Sequence, residues 1–169
     1  MQFRYDPETD MVQIFYSGIW NDWIPVGFQA FDALTLSQNQ WDFSASTASY
    51  SFKKAADGSV SITAAPKGNQ GSVTDCKTVV LIDLTGKNSI KISGRVWLYT
   101  TATAQISLRD ENGQVLYVYT TKAPGSAWTS FSVNGDISGL SGKAYLRINL
   151  PCFSGYATTE IQFTKLLIE

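Results

Sequence analysis

Along most of this chain apolar and polar residues alternate one for one, and no stretch holds a helical apolar period over several turns. From Gln40 onward the alternation comes in short runs: WDFSAS, SYSFKKA, SVSITAA, KTVVLIDLT, SIKISGRVWLY, AQISLRD, QVLYVYTT, WTSFSVN, KAYLRINL and EIQFTKLLIE. Turn residues separate them, as at Asp57-Gly58 between the second and third runs. Each run reads as a strand with one buried face.

The first residues follow a different rhythm. Asp6-Pro7-Glu8-Thr9 suits a type I turn with proline at its second position. MVQIFY follows as a strand, Ser17-Gly18 as a second turn and IWNDWI as a further strand. Residues 1–27 are therefore expected to form a small β-ribbon. Such a ribbon is marginal alone in water, so Phe3, Tyr5, Phe15, Tyr16, Trp20 and Trp23 are expected to pack on the main domain, a sister subunit or a larger assembly. Residues 28–39 have no clear period and read as a connection that buries Phe28, Phe31 and Leu34. Residues 40–169 form the main domain. About ten short strands over roughly 130 residues predict an all-β fold, a two-sheet antiparallel β-sandwich of jelly-roll type.

Composition narrows the chemistry. The chain has 13 Lys+Arg against 14 Asp+Glu, with no concentrated basic footprint for a nucleic acid. No apolar run approaches the ~20 residues of a membrane helix, and the polar, acidic start MQFRYDPETD does not read as a signal peptide. Histidine is absent, which excludes His-dependent triads, His-ligated zinc and imidazole acid–base catalysis. Cys76 and Cys152 show no metal-ligand spacing and read as two buried thiols rather than a disulfide.

The four glutamates, Glu8, Glu111, Glu160 and Glu169, sit at turns or strand ends. They are not paired as glycosidase carboxylates are. Asp83, Asp110 and Asp136 also fall at strand ends or turns, where Asp usually serves the backbone. No phosphate loop or nucleophile elbow is present. The chain does not read as an enzyme.

From Trp41 to the end, the sequence resembles the jelly-roll carbohydrate-binding modules and related galactose-binding-like domains. The resemblance rests on the early tryptophan, IDLTG before IKISGRVWL, ISLRDENGQVLYVY, the tryptophan-led WTSFSVNGDISGLSG, AYLRINL and the closing IQFTKLLIE. It implies that the concave sheet face reads a glycan. Modules of this kind often hold a structural calcium. Here Thr164-Lys165 stands where an aspartate is common, and Asp42 is a single carboxylate, so no metal or other cofactor is predicted. The N-terminal RYDPETDMVQIFYSGIWNDW resembles short segments of phage and prophage tail or appendage proteins. The two resemblances together imply a virion or extracellular protein that binds a bacterial surface glycan, with sister copies or virion proteins as further partners. Two rivals stand beside it: a purely structural virion or assembly protein, and an accessory carbohydrate-binding module of a glycan-degrading enzyme.

The jelly-roll resemblance places AQISLRD, QVLYVYTT and KAYLRINL in one sheet. Alternation puts Ile106, Leu108, Ala144, Leu146, Ile148 and Leu150 inside. For QVLYVYTT the turn decides. A two-residue loop at Asn112-Gly113 would turn Tyr117 and Tyr119 into the core. A three-residue loop, Glu111-Asn112-Gly113 with a left-handed glycine, would pair Leu108 with Leu116 and Ser107 with Tyr117. The first register exposes Leu116 and Val118 at roughly 1.5–3 kcal/mol each, so the second is expected. The predicted glycan face is then Gln105, Arg109, Tyr117, Tyr119, Tyr145, Arg147 and Asn149. Aromatic rings there would stack on sugars, and planar polar groups would meet hydroxyls. Its alternative is a solvated face of ordinary cross-strand pairs. Arg95, Trp97 and Tyr99 fall on the opposite sheet and, with Trp20 and Trp23, read as covered or contact surface more than as a second ligand site.

Overall fold

A computed structural model describes residues 2–6, 11–16, 19–25, 30–67, 72–98, 102–123, 127–153 and 158–169. The ribbon is an antiparallel meander of β1 (Gln2–Asp6), β2 (Met11–Tyr16) and β3 (Ile19–Pro25), with β2 central. Its aromatic side chains, including Trp20 and Trp23, lie outside the described residues, as do the two turns.

The connection is more ordered than its sequence suggests. β4 (Phe31–Asp32) adds two residues to the last strand, pairing Asp32 with Leu167. Asp32 then caps a 3₁₀ turn, its Oδ1 accepting from the Leu34 N–H at 2.9 Å. The segment buries Ala33 and Leu36 and half-buries Phe31 and Leu34. Phe28 is outside the described residues.

The main domain is a two-sheet sandwich. Its strands are β5 (Trp41–Asp42), β6 (Ser49–Lys54), β7 (Val60–Ala65), β8 (Ser72–Thr78), β9 (Ile82–Asp83), β10 (Ser89–Trp97), β11 (Thr103–Asp110), β12 (Val115–Lys122), β13 (Trp128–Asp136), β14 (Lys143–Cys152) and β15 (Thr159–Ile168). The first sheet runs β13-β10-β15-β7-β6, with β4 on β15. The second runs β12-β11-β14-β8-β5, with β9 on β14. Every described strand pairing is antiparallel. Period-2 alternation delivers the core between the sheets: Ile106, Leu108, Leu146, Ile148 and Leu150 on one side, Ile62, Ile90, Ile92, Ile161 and Phe163 on the other, all fully buried.

One stretch departs from its sequence pattern. The apolar run in KTVVLIDLT is not a buried strand: Val79, Val80 and Leu81 form an exposed bend, with Val79 60% exposed. The strand lies earlier, at SVTDCKT, whose buried face is Thr74, Cys76 and Thr78. Two threonines and a cysteine carry little hydropathy, yet all three point into the core. Cys76 and Cys152 are both buried and free, and burial pushes both thiols above the usual cysteine range.

The candidate glycan-binding face

The hairpin between β11 and β12 holds the central test of the expected face. Its loop has three residues: the Gly113 N–H donates to the Asp110 carbonyl at 2.9 Å, and the Asp110 N–H to that of Gln114 at 3.0 Å. Gly113 has φ +83°, the left-handed conformation this loop requires. Asp110 accepts from the Asn112 and Gln114 N–H groups at 2.9 and 2.8 Å, and Arg109 Nη1 donates to the Gly113 carbonyl at 2.8 Å.

The loop is as expected, but the register beyond it is not. Arg109 pairs with Val115 and Leu108 with Tyr117, so Leu116 is an extra residue in a second bulge. The pairing of Ser107 with Tyr117 and Gln105 with Tyr119 is thereby replaced. Tyr117 lies opposite Leu108, Tyr119 opposite Ile106, and both rings are half-buried against the core. Tyr119 packs 5.9 Å from Phe131, centroid to centroid. The Tyr117 ring fills the space beside Gly135 of β13, where a Cβ would overlap it. Burial and the neighbouring Tyr119 raise the Tyr117 pKa. Val118 is left 47% exposed in exchange. Half-burying a tyrosine's ~150–250 Å² is worth about 2–3 kcal/mol at ~25 cal/mol/Å², close to what burying a valine brings. Transfer energy alone therefore does not choose the register. Shape does: the gap between edge strands β12 and β13 takes rings, and Gly135 leaves room for one.

The other five predicted residues do share the outer face of the second sheet. Across β11 and β14, Gln105 pairs with Asn149, Ser107 with Arg147 and Arg109 with Tyr145. Strand β8 extends these rows, Asn149 to Asp75 and Arg147 to Lys77, and β5 continues from Lys77 to Asp42. Asp75 and Lys77 were missed because β8 was not recognised from its pattern.

Asp75 organises the face. It is buried, and Arg147 grips it with both Nε, at 2.8 Å from Oδ1, and Nη2, on Oδ2. Asn149 Nδ2 adds a third contact at 3.3 Å, and the Ser46 hydroxyl ties the Asp75 backbone N–H and carbonyl at 3.0 and 2.9 Å. The hydrogen bond and charge of Asp75 raise the Arg147 pKa, so the guanidinium stays charged at any working pH. Lys77 sits 5.4 Å from the Tyr145 ring centroid and 3.8 Å from the Asp42 carboxylate. Asp42 itself is held below the usual carboxylate range by Ser44, whose N–H donates to it at 2.8 Å, and then by Lys77.

Two adjoining hollows open on this face, and Asp42, Lys77 and Tyr145 line both. The smaller, of about 170 Å³, reaches Asp75 and Arg147. The larger, of about 380 Å³, has an apolar wall of Val79 and Leu81 and a polar rim at Glu111. The groove thus offers an aromatic ring, a fixed guanidinium, an ammonium donor, carboxylate acceptors and an apolar flank. These are the partners a polyhydroxylated ring requires.

The opposite sheet carries the other predicted cluster. Arg95 and Trp97 lie on its outer face, and Tyr99 is outside the described residues. Trp97 is directly opposite Trp128, which sequence reasoning left out of the cluster.

No protein-family model matches the chain, and no curated protein matches it in sequence. Solved structures match its fold. An agarase crystal structure aligns with a TM-score of 0.52 at 10% identity, over 83% of this chain and 24% of that one. The enzymatically active domain of bacteriophage CBA120 tailspike protein 4 aligns at 0.49 and 13% identity, over 76% and 19% of the two chains. TmCBM61, solved in complex with β-1,4-galactotriose, aligns at 0.46 and 11% identity, over 78% and 95%. This chain therefore spans about a fifth of the tailspike domain and a quarter of the agarase.

Proposed function

We propose that the sandwich is a non-catalytic carbohydrate-binding domain whose ligand lies across the outer face of β11, β14 and β8. The observation that carries this reading is the Arg147–Asp75–Asn149 array beside the Tyr145 ring. Its polar groups are held in place before any ligand arrives, so little ordering entropy opposes binding. Arg147 and Asn149 present planar donors and an acceptor, Gln105 and Arg109 extend the polar row, and Tyr145 is the stacking surface. Tyr117 and Tyr119 support the sheet edge from within rather than meet the sugar. The nearest charges are mixed in sign, which suits a largely neutral saccharide. The N-terminal ribbon's resemblance to phage and prophage tail segments supports a virion or extracellular setting and a bacterial surface glycan as target.

A glycan array with wild type and a Tyr145→Ala/Arg147→Ala double variant tests this. Wild type is expected to bind a defined glycan set that the double variant loses. No glycan signal, together with a sharp oligomer in light scattering, would favour a structural assembly protein instead.

A further inference from the structure

The first sheet's outer face is mostly polar: Ser130 and Ser132 on β13, Ser93 on β10, Gln162 on β15 and Ser61 and Thr63 on β7, with Lys53, Lys91 and Lys165 toward the other end. Two indoles interrupt it. Trp128 and Trp97 are direct cross-strand neighbours on β13 and β10, and Glu160 of β15 continues the row on the far side of Trp97. The row from Trp128 to Glu160 crosses two strand spacings, about 10 Å. Trp128 keeps 42% of its surface exposed although it is the largest kind of apolar side chain.

Its ring is not loose. The Arg95 guanidinium lies 4.5 Å from the Trp128 ring centroid, and Arg95 Nε donates to Gln162 Oε1 at 2.6 Å. The cation holds one indole by its π-face while Gln162 holds the cation. Glu160 takes the Ser61 hydroxyl on one carboxylate oxygen, and its other oxygen has no hydrogen-bond partner among the described residues. Trp97, Trp128, Glu160 and Thr158 line a hollow of about 310 Å³, at the small end of the ~300–1,000 Å³ of ligand pockets.

The geometry points to a second saccharide platform, on the sheet opposite the Arg147 groove. There a pyranose ring would lay its C–H face on the paired indoles, and its hydroxyls would donate to Glu160. Among the described residues, the apolar area at this end of the face is the two indole rings, set among serines, threonines and the charged Arg95 and Glu160. A stable protein contact needs ~800 Å² per partner with an apolar centre, and two indoles do not supply it. One sugar ring's apolar face matches the patch, and the Glu160 oxygen that has no partner among the described residues suits a hydroxyl donor. This platform is separate from the groove on the second sheet and stands or falls independently of it.

The test is a glycan array of bacterial and plant oligosaccharides probed with wild type, Trp128→Ala, Glu160→Gln and Tyr145→Ala, with sedimentation velocity on each. Trp128 is an exposed edge-strand residue, so its alanine variant is expected to fold, and a circular dichroism melt checks this. Trp128→Phe serves as the conservative control. At least one glycan signal should fall roughly tenfold in Trp128→Ala, fall less in Trp128→Phe, drop in Glu160→Gln and survive Tyr145→Ala. The proposal is overturned if Trp128→Ala leaves every glycan signal unchanged or if wild type binds none. It is equally overturned if Trp128→Ala instead converts a wild-type oligomer to monomer.

Discussion

Asp75 and Arg147 divide one interaction unequally. The carboxylate is buried and the guanidinium half-exposed, so removing Arg147 leaves a desolvated charge, whereas removing Asp75 leaves a cation that water can still reach. Arg147→Ala should cost about 1.5–3 kcal/mol, read from urea denaturation. Adding Asp75→Ala to it should recover part of that loss. Equal costs for the single and double variants would mean that Asp75 is better solvated than its burial indicates. Gly135 is the other decisive residue. A methyl group there collides with the Tyr117 ring, and Gly135→Ala should destabilise by about 1–3 kcal/mol. A companion Tyr117→Leu change should relieve much of it. Absence of any effect would mean that Tyr117 swings out to solvent readily, as the sequence register had it.

At the scale of elements, the β11–β12 hairpin shows where sequence reasoning reaches and where it stops. The Glu111-Asn112-Gly113 loop was read correctly, but from the cost of exposing Leu116 and Val118 in the two-residue register, a cost the structure accepts at Val118 all the same. The second bulge at Leu116 was not read, because it depends on Phe131 and Gly135 of β13, which no local pattern reveals. Strand β8 was hidden for a different reason. Its inward residues, Thr74, Cys76 and Thr78, are small and weakly apolar, while the conspicuous VVLI run beside it is mostly surface. The strands whose alternation is clean, β10, β11 and β14, were read almost to the residue, and so was β15 although its buried face changes phase at a bulge at Thr164. Five of the seven predicted ligand residues sit on β11 and β14 for that reason. Gly113→Ala should test the loop's backbone: an L side chain at φ +83° costs about 1 kcal/mol by thermal or urea melts, and no loss would contradict the assigned turn.

For the whole molecule, acid response follows from a recurring device. Asp42, Asp57, Asp83 and Asp136 each accept from the N–H two residues on, in Ser44, Ser59, Thr85 and Ser138, at 2.8–2.9 Å. The hydroxyls of Ser44 and Ser59, and then these backbone bonds, lower the folded-state pKa of Asp42 and Asp57; for Asp83 and Asp136 the backbone bond leads and the Thr85 and Ser138 hydroxyls follow. A depressed folded pKa means that the unfolded chain takes up protons first. The stabilisation is therefore complete above about pH 4 and declines as pH falls through the folded values. With no histidine in the chain, urea midpoints should stay flat from about pH 5 to 8 and fall below about pH 4. A step near pH 6.5 would contradict this. The sandwich is thus expected to keep its groove intact from about pH 5 to 8.

The most direct test is a calorimetric titration of the strongest array glycan into wild type and Tyr145→Ala. That substitution leaves the Arg147–Asp75 pair in place, so any change in affinity reports on the stacking surface itself. Wild type is expected to bind saturably and Tyr145→Ala roughly tenfold more weakly (about 1.4 kcal/mol), with the melting temperature nearly unchanged. Equal affinity in the two proteins would place the ligand elsewhere and contradict the central claim.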